Sequence, residues 1–188
     1  LTNRYAPMGE LSLSASLAFE QSYGGVEGDS ASVAETCVLL SAITGVPLQQ
    51  ALAVTGSMNQ HGEVQAVGGV NEKIEGFFNV CAQSGGVDGQ GALLPASNLE
   101  HLMLNEQVRE AVREGRFSVY PLSHIDQAIE LMTDMEAGVP GTDGVYPENT
   151  FNRLVADRLA EFADVSKKKD DDKANSSGGN GGDNNRDD

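Results

Sequence analysis

Between Gly24 and Ser32 the chain reads Gly-Gly-Val-Glu-Gly-Asp-Ser-Ala-Ser and runs straight into Val33–Ile43, where apolar residues recur at helical spacing. A glycine-rich loop feeding an apolar helix leaves the backbone few options. The glycines admit turns that a Cβ resists, and the helix must bury Val33, Cys37, Leu40 and Ile43 against something. Ser30 then falls where unpaired backbone N–H groups and the positive end of the helix dipole converge. Such a place stabilises an oxyanion and equally well holds a phosphate. A serine hydroxyl without a base is a weak nucleophile, so the chemistry turns on whether the chain supplies one.

Lys73 is the candidate base. It lies in the first turn of the helix expected after Gly68-Gly69, an end of a helix that repels cations. A free lysine is almost wholly protonated at neutral pH, with an ordinary pKa of about 10.4, but desolvation and positive dipoles lower that value. A buried Lys73 would therefore serve as a neutral base. The competing reading is an exposed helix lysine beside Glu72 and Glu75. His61 at a hairpin tip, and His101 and His124 on helices, read as surface or capping residues. They share no metal-ligand spacing with each other or with the cysteines, so no metal is expected. No GxxxxGKS/T loop occurs, which excludes a nucleotide hydrolase of that class on this segment.

The 188 residues suffice for one domain with a core, and the absence of Trp makes that core aliphatic. The formal net charge of −16, nearly all of it ahead of Ser166, argues against a nucleic-acid-binding face. No apolar run reaches the roughly 18 residues of a membrane span. Cys37 and Cys81 fall among apolar helix positions and read as buried free thiols in a reducing compartment, most simply the cytoplasm. The chain opens on Leu1 in mid-pattern, from which we expect a fragment of a longer polypeptide.

The chain reads as alternating strands and helices, an α/β or mixed α+β pattern. Leu11–Phe19 reads as a strand or the end of one, with a helix as the alternative, Glu20–Asp29 as the loop and Ser32–Thr44 as the helix, closed by Gly45 and Pro47. Ala51–Val67 reads as a hairpin of two strands, Ala51–Thr55 and Glu63–Val67. Asn71 is expected to cap a helix through Ser84 with Ile74, Phe77, Phe78 and Cys81 on one face. Ala92–Pro95 and Phe117–Pro121 read as strands. Ser97 is expected to cap a short helix, Asn105–Arg113 forms another, and Ser123 is expected to cap a helix over His124–Met132. Residues 1–136 form the domain proper, 137–165 a loop and an amphipathic helix with Leu154, Val155, Leu159 and Phe162 as its stripe. Residues 166–188 form an acidic, glycine-rich tail expected to be disordered.

The stretches GGVEGDSAS, AVTGSMNQHGEVQAVGGVNEKIEGF and GALLPASN resemble the proteolytic domain of Lon proteases. They are most similar to the B-type branch, which has Glu-Gly-Asp-Ser before the nucleophile. The resemblance spans roughly Leu11–Met132 and implies the Lon protease-domain fold, related to the second domain of ribosomal protein S5. It also implies a serine–lysine dyad, with Ser30 as nucleophile and Lys73 as general base. Thr55 matches a threonine that hydrogen-bonds the lysine, and Glu27 and Asp29 match acidic residues beside the nucleophile. Backbone N–H groups of Ser30 and Ala31 would hold the oxyanion. The activity implied is ATP-dependent serine endopeptidase cleavage of unfolded polypeptides by a homo-oligomer, typically a hexameric ring. ATP and Mg would sit on an AAA+ module outside this segment, and neither membrane nor nucleic acid is an expected partner. Fewer strands precede the serine loop than in the family. Two other readings stay open: an inactive oligomerisation scaffold, and a small-molecule kinase of the galactokinase and homoserine kinase superfamily, whose related loop binds phosphates. Glu27 and Asp29 would repel a phosphate and count against the kinase.

Overall fold

The computed structural model describes residues 2–5, 14–18 and 28–177, without the side chains of 2–3 and 166–177. Its centre is a three-stranded parallel sheet in the order β1 (Leu52–Val54), β4 (Gln90–Pro95), β5 (Phe117–Leu122). Central β4 is apolar along almost its whole length, as a strand covered on both faces must be. Side chains along a strand alternate between faces, and Leu93 enters one core while Ala92 and Leu94 enter the other.

The larger core is built by α2 (Ser32–Thr44), α5 (Ile125–Thr133) and α6 (Phe151–Ser177), with Tyr5 of the short α1 (Thr2–Tyr5) packed beside them. Val33, Cys37, Leu40 and Ile43 are all buried, as the helical spacing requires. The smaller core lies under α3 (Val70–Ser84) and α4 (Glu106–Arg113), where Phe78 meets Phe117 edge-on at 5.3 Å between ring centroids. The architecture is thus α/β, with helices on both faces of the sheet. Among the described residues no helix is long and apolar enough to cross a membrane.

Several sequence expectations need correction. The hairpin is not Ala51–Val67: β1 pairs in parallel with β4, with Ala53 opposite Ala92. The antiparallel pair is confined to β2 (Ser57–Met58) and β3 (Val64–Gln65). Leu52 and Val54 gain more by joining an apolar strand than by facing the polar hairpin. Of the strand expected over Leu11–Phe19, Ser14–Ala18 form no strand and are exposed, and the rest lies outside the described residues. Asn71 does not cap α3. Gly69, at φ 64°, takes the cap position, and the Asn71 side chain instead accepts from Met103 N at 2.8 Å. Pro95 rather than Ser97 precedes the 3-10 turn Ala96–His101.

His124, not Ser123, caps α5: its Nδ1 accepts from Asp126 N, while Gln127 Oε1 accepts from His124 N at 3.1 Å. A ring nitrogen here does the work of a serine oxygen. Asn105 caps α4 by accepting from Val108 N at 3.1 Å. Helix α6 continues to Ser177, beyond the Val165 expected as its end; no glycine or proline interrupts the chain between Phe151 and Ser177. The rest of the tail lies outside the described residues. Both cysteines are free thiols, but only Cys37 is buried; Cys81 is half-buried.

Candidate active site

β1 is an edge of the sheet among the described residues, and residues carried by the helices of both faces meet there. Ser30 and Ala31 arrive from the α2 side and Lys73 from the α3 side. Both sets line one cavity of about 240 Å³. The floor of the cavity is Ala53, Val54 and Thr55 of the β1 segment with Ala92 and Leu93 of β4, and Ile74 and Phe77 of α3 close its side. Its volume has a simple origin. Ala53 and Ala92 are paired across the strands on the α3 face, and two methyl groups leave empty the space that larger β residues would fill.

The loop that carries Ser30 is clamped by the segment Thr55-Gly56-Ser57. Thr55 continues the ladder, donating its N–H to Leu93 O at 3.0 Å. The carbonyl of Ser30 accepts twice, from Gly56 N at 2.9 Å and from Thr55 Oγ1 at 3.2 Å. Val33 N donates back to Gly56 O at 3.2 Å. Ser57 Oγ donates to Asp29 Oδ2 at 2.6 Å. This approach is possible because residue 56 has no side chain: a Cβ there would lie 2.9 Å from Val33 Cγ2 and 3.1 Å from Val64 Cγ1. Ser32 N and Val33 N, the first donors of α2, are taken by Asp29 O and Gly56 O.

Lys73 is set one turn into α3, its N–H donating to Gly69 O at 3.0 Å. The entry to this helix is held by Asn98, 7% exposed, whose side-chain amide bonds Val67 in both directions at 3.0 Å, as a neighbouring strand would. Glu75 accepts from Asn105 N at 2.7 Å on the same side. Lys73 Nζ donates to Thr55 Oγ1 over a long 3.5 Å. Amine, threonine hydroxyl and Ser30 carbonyl therefore form one chain, since the same Oγ1 donates onward to Ser30 O. The expectation of a dry Lys73 is not met: the residue is exposed.

Of the residues singled out in the sequence, Ser30, Ala31, Thr55 and Lys73 meet at the cavity. Asp29 adjoins it but turns its carboxylate to Ser57. Glu27 lies outside the described residues. Sequence reasoning missed Ser57, Asn98 and the paired alanines. The only signal for Ser57 was its place two residues after Thr55 in the Thr-Gly-Ser run. His61 is exposed at the turn before β3, and His101 is exposed at the end of the 3-10 turn. Among the described residues no group of three His, Cys, Asp or Glu stands close enough to hold a metal ion. Burial pushes the Cys37 thiol up to about 12 from an ordinary value of 9.0.

Residues 24–134 match the family model described as the Lon protease (S16) C-terminal proteolytic domain. The chain is 43% identical over 159 residues to a Lon protease homologue of Haemophilus influenzae, covering 85% of this chain and 26% of that protein. It is 41% identical over 152 residues to a Lon protease homologue of Escherichia coli, covering 81% and 25%. An archaeal Lon protease of Archaeoglobus fulgidus shares 37% identity over 112 residues, covering 60% and 16%. The chain thus spans about a quarter of the length of the first two relatives.

Proposed function

The chain belongs to the Lon protease (S16) C-terminal proteolytic domain family, and from that premise we propose that it cleaves unfolded polypeptides with Ser30 as nucleophile and Lys73 as general base. The observation that carries this reading is the convergence of Ser30 and Lys73, from opposite faces of the sheet, on one cavity bridged by Thr55. Ser30 Oγ attacks the substrate carbonyl carbon as its proton passes to the Lys73 amine, a step open only to the unprotonated form of that amine. Among the described residues Ser32 N and Val33 N are engaged, and the N–H groups of Ser30 and Ala31 would hold the oxyanion. On collapse the C–N bond breaks and the Lys73 ammonium protonates the departing amine. Water, deprotonated by the same lysine, then attacks the acyl ester and restores the serine.

The apolar recess of Ala53, Ala92, Ile74 and Phe77 fits an apolar substrate side chain. Thr55 orients the lysine, and the acidic residues Glu27 and Asp29 modulate access to the site or the charge of the lysine. In the whole polypeptide we assign the domain to a hexameric ring in the cytoplasm, fed by an AAA+ module that holds ATP and Mg. The two free thiols fit that compartment.

The test is hydrolysis of an unstructured fluorogenic peptide by the full protein, with labelling by a serine-directed fluorophosphonate probe. Ser30→Ala should abolish both, and Lys73→Ala should reduce hydrolysis by about a thousandfold or more. Wild-type hydrolysis by either variant would overturn the dyad. Absence of labelling and hydrolysis in the unmutated protein would favour the scaffold reading.

A further inference from the structure

We propose that Ser57 is a positioning residue for this reaction, acting by holding the Asp29 carboxylate away from the Lys73 amine; the proposal rests on Ser30 and Lys73 being the reacting pair. Ser57 is 4% exposed, and its hydroxyl donates to Asp29 Oδ2 at 2.6 Å, the length of a charge-assisted bond. The backbone of Asp29 is fixed independently, because its carbonyl accepts from Ser32 N at 3.0 Å and Ser32 Oγ at 2.7 Å. The direction of its carboxylate is a separate matter, and among the described residues Ser57 is the group that sets it.

That direction has chemical weight. Asp29 directly precedes Ser30, yet it does not line the cavity that Ser30 and Ala31 line. Lys73 is the one lysine in the chain before Lys167. Pairing of this ammonium with a carboxylate released from Ser57 would favour the charged form that cannot accept a proton from serine. The other acidic groups around the cavity are placed differently. Glu72 lies beside Lys73 on α3, its carboxylate folded toward Gly69. Glu75 is engaged by Asn105 N, and Glu35 stands in the first turn of α2. The walls from β1 and β4 carry no charge. Glu27 lies outside the described residues. Among the described residues Asp29 is thus the acidic group whose carboxylate direction is set by a single side-chain hydroxyl.

The experiment is the pH profile of kcat/KM on an unstructured peptide for the full protein, with Ser57→Ala, Asp29→Asn and the double variant. Ser57→Ala should move the midpoint of the alkaline rise up by about one pH unit and lower the rate near neutrality about tenfold, converging on wild type at high pH. The double variant should return to the wild-type midpoint. Ser57→Cys, nearly isosteric and a weak donor, should fall between and serves if the alanine variant does not accumulate folded. A uniform loss at every pH with the midpoint unmoved would reduce Ser57 to a structural role and overturn the proposal. So would a double variant that keeps the Ser57→Ala midpoint. Ser30→Ala is run in the same series: if it stays active the dyad itself is wrong, whereas an inactive Ser30→Ala with an unmoved Ser57→Ala midpoint removes only the present inference.

Discussion

The two faces of the central sheet hold their helices very differently. On one face α2 drives Val33, Cys37 and Leu40 into a core shared with α5 and α6, and its first turn is clamped by the Thr55–Ser57 segment through backbone and side-chain bonds. On the other face α3 rests on Ile74 and Phe78 over a smaller core, and its start is tied down by the Asn98 amide and the Asn71 and Glu75 side chains. The proposed nucleophile therefore sits on a loop bonded several times to the Thr55–Ser57 segment, and the proposed base on a helix over the smaller core whose side-chain bond to that segment is the long one to Thr55. If one partner of the pair is to shift between resting and working states, the contrast points to the lysine side.

The largest test of that contrast is a matched pair of core truncations. Leu40→Ala should cost about 4 kcal/mol of unfolding free energy in denaturant titration, and Ile74→Ala about 3 kcal/mol. At temperatures where both variants remain folded, only Ile74→Ala should lower kcat/KM, because Ile74 also lines the cavity. Equal catalytic losses would erase the distinction between the faces. Next, Asn98→Ala strips both partners from the Val67 backbone and should cost about 2 kcal/mol, with faster hydrogen exchange confined to the start of α3. Protection lost equally in α2 would mean that the anchors of α3 are shared with α2.

A smaller effect is expected from Thr55→Val, which keeps the shape but removes the hydroxyl between Lys73 and Ser30 O. It should lower kcat by about tenfold, worth about 1.4 kcal/mol of barrier, with little change in KM. The smallest concerns pH and the larger core alone. Burial raises the Cys37 thiol to about 12 from 9.0, so above the lower value the unfolded chain releases a proton that the folded one keeps. The folded state then binds more protons, and stability falls as pH rises. The contribution is intact below about pH 9 and declines above it by at most about 1.4 kcal/mol per unit. Titrating unfolding free energy from pH 8 to 10 should show this slope in wild type and a shallower one in Cys37→Ala.

Much of the architecture could be read from helical spacing. Val33, Cys37, Leu40, Ile43, Ile74 and Phe78 are all buried where their periodicity put them. The partner of β1 was not legible, because three residues carry no register and the choice between β3 and β4 is decided by what they can bury on folding. The caps at Gly69 and His124 escaped for a related reason: an αL glycine and an imidazole fill the geometry that sequence patterns assign to asparagine or serine. Ser30, Ala31, Thr55 and Lys73 stand out in the sequence, and the fold brings them to one cavity. The Ser57–Asp29 bond does not, since a buried serine looks like any other serine in a turn-rich stretch. The exposure of Lys73 was one of the two readings its position left open, and the structure takes that one.

The bare hydrogen at position 56 also bears on how such a domain can diversify. Val33 and Val64 already crowd the place where any larger group would go. Substitution there is survivable only after one of those valines has been shortened, so the order of events in a mutational lineage is constrained: contraction first, enlargement second. A directed-evolution library randomised at Gly56 alone should return glycine, whereas one that co-varies Val33 and Val64 opens routes that single steps cannot reach.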